Sequence, residues 1–329
     1  MKLVTLSLCA LYALAAPAWG RLPAAASRVT SASSVRVRST PATTGSVVAT
    51  LGVGTVLEEL GRSDAPTRIG DVEDYWYKVR APGGATGWVF GGLTVAADPA
   101  RIDDAYLRIT RARLDAQNLS LTDWIDLYGF LGRAATGAHS RDARAELEIS
   151  RLRALGRSMY SVEDDKRDQE PFRSFFAGVK SQLDYSDPAG VWLVRSELFW
   201  KVYEACRDTS YAEQAAWYAA ENELPGECEG DEECHLSAFL MTTGRYIKLY
   251  PRGQYVPDAL KDLDELLNSL VQYGAISSGE FEVDAATNAQ WKTAARKALA
   301  STRETVLLTD SPLKATIVDK LDALDKKFQ

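Results

Sequence analysis

The pattern of apolar and polar positions changes period near residue 98. Before it, apolar residues come in short runs or in strict alternation. Val35-Arg36-Val37-Arg38 sets apolar against charged side chains, as a half-buried strand requires. Ser39-Thr40-Pro41 ends it, because proline cannot donate to a ladder. Residues 46–51 and 54–60 are β-branched runs on either side of a Gly52-Val53-Gly54 turn. Residues 64–74 are polar and turn-rich and are expected to form a long loop. Tyr75-Trp76-Tyr77-Lys78-Val79-Arg80 then reads as a strand, Pro82-Gly83-Gly84 as a hairpin turn, and Gly87-Trp88-Val89-Phe90 as the returning strand. Strands this short at such regular spacing predict a small closed barrel or sandwich, with Trp76 and Trp88 filling its core.

After residue 98 glycine and proline thin out and apolar residues recur every three or four positions. The spacing predicts helices beginning near Pro99 and over 121–135, 142–159, 171–183, 191–206, 212–223, 237–249, 256–273, 285–300 and 312–327. The expected architecture is therefore two-part: a small all-β domain at 28–97, then an all-α domain at 98–329 built as a bundle or a solenoid. The first twenty residues have a third pattern. Lys2 precedes an apolar run from Leu3 to Ala16, and Ala18 and Gly20 stand at −3 and −1 of a cleavage site before Arg21. This is the layout of a secretory signal peptide over 1–20, and it predicts an exported protein, periplasmic or secreted, without stable membrane insertion.

Charge sharpens the division. The whole chain carries a formal −7, but residues 21–97 sum to +2 and residues 98–329 to −10. An acidic body argues against nucleic acid and anionic membrane surfaces as partners.

Val35-Arg36-Val37-Arg38-Ser39-Thr40-Pro41, Gly45 with Val47-Val48, Leu51 with Gly54-Thr55-Val56, Trp76-Tyr77-Lys78-Val79 and Gly87-Trp88-Val89 succeed one another in an order that resembles the bacterial SH3 domain. The resemblance covers about sixty residues and departs from the family pattern at Arg36, at Thr40 and in the long 64–74 insertion. It implies an SH3-like barrel that recognises cell-wall peptides or envelope proteins. An aromatic platform of Tyr75 and Tyr77 beside Arg38, Lys78 and Arg80 would suit a peptide carrying a carboxylate. In the second domain, Tyr250-Pro251, Gly253, Tyr255 and Ala259-Leu260 are similar to the turn between helices in tetratricopeptide-like envelope proteins, which implies a helix pair at 237–273.

Cys206, Cys228 and Cys234 follow the signal segment. In an exported chain one disulfide is expected, with Cys228–Cys234 the leading pair and Cys206 the alternative partner. Cys228, Cys234 and His235 lie among Glu227, Glu229, Asp231 and Glu233, but the spacing fits neither a zinc site nor an EF-hand, so no metal is expected. The chain has two histidines, His139 and His235, and lacks H-E-x-x-H, G-x-S-x-G and phosphate-cradling glycine motifs. Glu197 in Ser196-Glu197-Leu198-Phe199-Trp200 has the local look of a muramidase acid but no accompanying glycine-rich motif. The expectation is a non-catalytic binding or adaptor protein without a cofactor. The competing readings are a wall hydrolase of unrecognised type and a structural protein whose helices alone engage the partner.

Overall fold

The computed structural model describes residues 26–163, 166–228, 231–273 and 284–328; the signal-like segment lies outside them. Nine strands make up the first unit: β1 (Ser27–Thr30), β2 (Val35–Arg38), β3 (Val47–Leu51), β4 (Val56–Arg62), β5 (Thr67–Ile69), β6 (Val72–Asp74), β7 (Trp76–Arg80), β8 (Thr86–Phe90) and β9 (Thr94–Ala97). Seven form one antiparallel sheet in the order β3-β2-β8-β7-β4-β1-β9. The alternation of β2 works as expected: Val35 and Val37 turn inward and join Leu57, Val79, Ala81 and Val89 in the barrel core. Pro82-Gly83-Gly84 makes the β7–β8 turn, with both glycines at φ near +85°, where a side chain is disfavoured.

Two expectations for this unit are corrected. Residues 64–74 are not an irregular loop. They contain the β5–β6 hairpin, which turns at Gly70 (φ +59°) and carries an Arg68–Glu73 ion pair at 2.9 Å. Of the two tryptophans expected in the core, Trp76 is buried and Trp88 is not. Residues opposite each other in an antiparallel pair share a face. Tyr77 pairs with Val89 and Val79 with Gly87, and these face inward; Trp76 pairs with Phe90 and Lys78 with Trp88, and these face out. Trp76 is buried all the same, packed on Phe90 at 5.7 Å where the hairpin folds back over Gly91 and Gly92. Trp88 is only half-buried.

The second unit holds helices α1 (Ile102–Asp115), α2 (Leu121–Gly137), α3 (Arg141–Tyr160), α4 (Phe172–Val179), α5 (Ser196–Cys206), α6 (Ala212–Glu221), α7 (Glu232–Met241), α8 (Thr243–Leu249), α9 (Val256–Tyr273), α10 (Ala285–Leu307) and α11 (Lys314–Asp325). Capping explains where several start. Ser120 and Asp123 form a reciprocal capping box on α2, and Ser140 and Asp284 cap α3 and α10.

The unit is not wholly helical. A hairpin, β10 (Leu183–Ser186) and β11 (Val191–Val194), replaces the end of one expected helix and the start of the next. The intervening Asp187-Pro188-Ala189-Gly190 supplies the turn, Gly190 at φ +65°, and Val191-Trp192-Leu193-Val194 is rich in strand formers. The helix expected over 237–249 is broken at Thr242 (φ −108°, ψ −108°), whose hydroxyl donates back to the Ala238 carbonyl. In the expected tetratricopeptide-like pair, α8 packs on α6 and α7 more than on α9, and α9 packs chiefly on α11.

The Tyr250–Tyr255 turn serves another purpose. It closes an aromatic cluster in which Trp217 stacks on Tyr255 at 4.9 Å and meets Tyr246 edge-on at 5.2 Å. The Tyr246 hydroxyl donates to Glu213 Oε1 at 2.8 Å and accepts the Tyr255 amide at 3.1 Å. Burial pushes the Tyr246 phenol well above its ordinary range, so it stays a donor at all physiological pH.

The two units share a core. Val53, at the tip of the β3–β4 turn, is fully buried among Ile109, Leu127 and Phe130 of α1 and α2. Its amide donates to Asp126 Oδ2 at 2.9 Å. Gly54, at φ +78°, lies so close to Phe130 that a Cβ there would be 1.9 Å from the ring. At the barrel's last strand, Arg108 of α1 donates to the Ala96 carbonyl at 2.8 Å.

Candidate functional site

The outward face of the barrel carries one row of side chains that the core does not use. Val47 on β3 is opposite Arg38 on β2; Arg38 is opposite Trp88 on β8; Trp88 is opposite Lys78 on β7. The row therefore crosses four adjacent strands as aliphatic, cation, indole, cation. Gly87 allows it. A Cβ at that position would lie 2.5 Å from the Arg38 carbonyl oxygen, so only glycine lets β8 approach β2 this closely and seat Trp88 beside Arg38. The Arg38 guanidinium is steadied by donating to the Gly45 carbonyl at 2.7 Å, while Lys78 is exposed and has no ion-pair partner among the described residues.

Chemically, a half-exposed indole between two cations offers a flat apolar surface with carboxylate receptors on both sides.

The five residues expected to bind ligand are separated by the fold. Arg38 and Lys78 come together on either side of Trp88. Tyr77 turns toward the interior, where its ring stacks on the Arg28 guanidinium at 3.5 Å; Arg28 is itself buried and donates to Thr94 Oγ1 at 2.7 Å. The Tyr75 ring packs against Arg62 at 4.3 Å. Arg80 is on the outward face but paired with Glu58 at 2.6 Å. Trp88 is the member that sequence reasoning assigned to the core. The signal for its true place was the alternation itself, since Gly87 and Val89 on either side of it face inward.

In the helical unit, Cys228 and Cys234 are joined (S–S 2.10 Å, Cα–Cα 5.4 Å) and Cys206 is a free, buried thiol at the end of α5. A bond of this kind belongs to an oxidising compartment. Among the described residues no group of three or more metal-ligating side chains converges. Glu197 is an exposed first-turn residue of α5 beside Arg195 at 3.8 Å. A cleft of about 570 Å³ opens next to the disulfide, between the β10–β11 turn and α9, with Glu221, His235 and Asp262 on its walls. Burial, with Asp262 nearby, pushes the Glu221 carboxyl up, and burial also raises Asp262.

Glu232, at the start of α7, is fully buried, and neither carboxylate oxygen meets a partner from another described residue. Burial raises its pKa. The folded state then holds this proton to higher pH than the unfolded chain does, so the stability it contributes is present at acid pH and lost as pH rises above the ordinary carboxylate range. Glu232→Gln, which cannot ionise, is expected to flatten that decline. Denaturant melts of both forms at pH 4 and pH 7.5 check it; parallel pH dependence in the two would show that Glu232 is not the group responsible.

Residues 33–94 match the family model of the bacterial SH3 domain. No curated protein and no solved structure matches the chain. The barrel is thus a bacterial SH3 domain, and the helical unit carries no family assignment.

Proposed function

We propose that this protein is a non-catalytic exported binding protein whose SH3 barrel recognises a cell-wall peptide or envelope protein, with the helical unit as its scaffold. The observation that carries the reading is the Val47–Arg38–Trp88–Lys78 row on a domain whose family binds peptides or wall components. A stem peptide presents what this row accepts: small aliphatic side chains for the indole and valine, and carboxylates for the cations. The disulfide and the signal-like first twenty residues support export to the periplasm or beyond.

Because Val53 is buried against α1 and α2, the test uses the full protein rather than the isolated barrel. Retention on purified peptidoglycan is expected, and Trp88→Ala is expected to weaken it about tenfold or more, given what an aromatic anchor in an interface contributes. Unchanged retention by Trp88→Ala would remove this surface from consideration.

A second reading places recognition in the helical unit, and the acidic cleft beside the disulfide is the observation that favours it. Binding that survives Trp88→Ala but is lost on Glu221→Gln would support it. A zymogram of the full protein addresses hydrolysis, and a clearing band lost in Glu197→Gln would overturn the non-catalytic reading.

A further inference from the structure

The seven-stranded sheet ends on β3 at one side and β9 at the other, and the two edges are treated differently. The β9 edge is closed off by α1, whose Arg108 takes the Ala96 carbonyl. On the β3 side, no strand among the described residues pairs beyond β3. An open edge presents a row of unpaired amides and carbonyls, and proteins ordinarily blunt it with charge, proline or cover. Ser46-Val47-Val48-Ala49-Thr50-Leu51 contains no charge and no proline, and Val47 and Val48 are 48% and 46% exposed. Its one irregularity is a register shift opposite Val37 and Arg38, which leaves Ala49, Thr50 and Leu51 regularly paired to β2.

We propose that β3 accepts an extended acidic segment of a partner polypeptide as an added strand; this rests on the barrel being the recognition unit and uses the free side of β3, beyond the Val47–Arg38 end of the row and away from Trp88 and Lys78. Backbone pairing supplies the affinity and the flanking side chains the selection. The charge selects for acid. Arg36 is exposed on β2, directly across from Thr50 of β3, and has no hydrogen-bond or ion-pair partner among the described residues. Arg38 follows it on the same face. An added strand would run about 10 Å from β2, two strand spacings, which the combined lengths of an arginine and a glutamate side chain span.

Amide hydrogen exchange on the full protein tests the proposal, with a capped octapeptide of alternating Glu and Val as the probe. Saturable slowing of exchange across 46–51 is expected. Arg36→Ala should weaken it about threefold to fivefold, the scale of one exposed ion pair. Thr50→Glu, which keeps the strand and repels the probe, should weaken it further, and a Lys-Val octapeptide should give no protection. Absence of slowing over 46–51, equal protection by the Lys-Val peptide, or unchanged affinity in Arg36→Ala would overturn the proposal. So would protection that grows with protein concentration alone, which would make a second copy the occupant. Trp88→Ala should leave this protection intact, so failure of the Trp88 surface and failure of the β3 edge are told apart.

Discussion

Gly54→Ala is expected to destabilise the protein by about 2–5 kcal/mol. Two costs combine. Gly54 sits at φ +78°, where a side chain costs roughly 1–2 kcal/mol, and its Cβ would stand 1.9 Å from the Phe130 ring. That overlap forces either the turn or α2 to move, at a further 1–3 kcal/mol or so. Gly83→Ala separates the two terms. Gly83 has a similar φ of +84° with open space around it, so it should show the backbone cost alone. Denaturant melts of both variants make the comparison. Truncating the ring in a Gly54→Ala/Phe130→Ala double variant should cost less than the sum of the single changes, since the alanine methyl then occupies space the ring has vacated. Equal effects at Gly54 and Gly83 would mean that the turn does not press on Phe130.

Trp217→Ala is expected to cost about 3–5 kcal/mol, the range for deleting a buried large aromatic side chain. Trp217 is the centre of the helical unit's aromatic cluster, stacked on Tyr255 and edge-on to Tyr246, and it links α6 to the turn between α8 and α9. Its loss also loosens the hydrogen bonds that Tyr246 makes to Glu213 and the Tyr255 amide. The barrel should respond less, because its core cluster contains none of these residues. Hydrogen exchange resolved by segment checks this: protection should fall in 212–221 and 246–263 and hold in the barrel strands. A small, uniform loss would show that the cluster is dispensable to the helical unit.

Most of the barrel was legible from local pattern. Val35 and Val37 alternate with arginines, and the glycines at 83 and 84 mark a turn; both features act between near neighbours in the chain. The helices were legible for the same reason, and residues 256–273 form α9 just as their spacing predicts. Errors arose where a longer-range partner decided the outcome. Two short hairpins also escaped: β5 and β6 are three residues each and largely polar, and the apolar run of β11 is too short to tell from the start of the helix that follows it. Trp88 was misplaced because size suggested core, whereas its register against Lys78 and Arg38 turned it out. The intended platform of Tyr75 and Tyr77 failed to assemble for a related reason: buried Arg28 and nearby Arg62 claim their ring faces.

By itself, the sequence determined the presence of an SH3-like barrel, its slightly basic charge beside an acidic helical body, the helix spacing and the cysteines able to pair. Those properties depend on composition and on periods of two or a few residues. Only the tertiary structure decided which face each strand shows, that Val53 joins the barrel to α1 and α2 in one core, and that Arg38, Trp88 and Lys78 form a single row. These depend on strand order and register, which bring together residues fifty positions apart and leave no periodic trace in the chain.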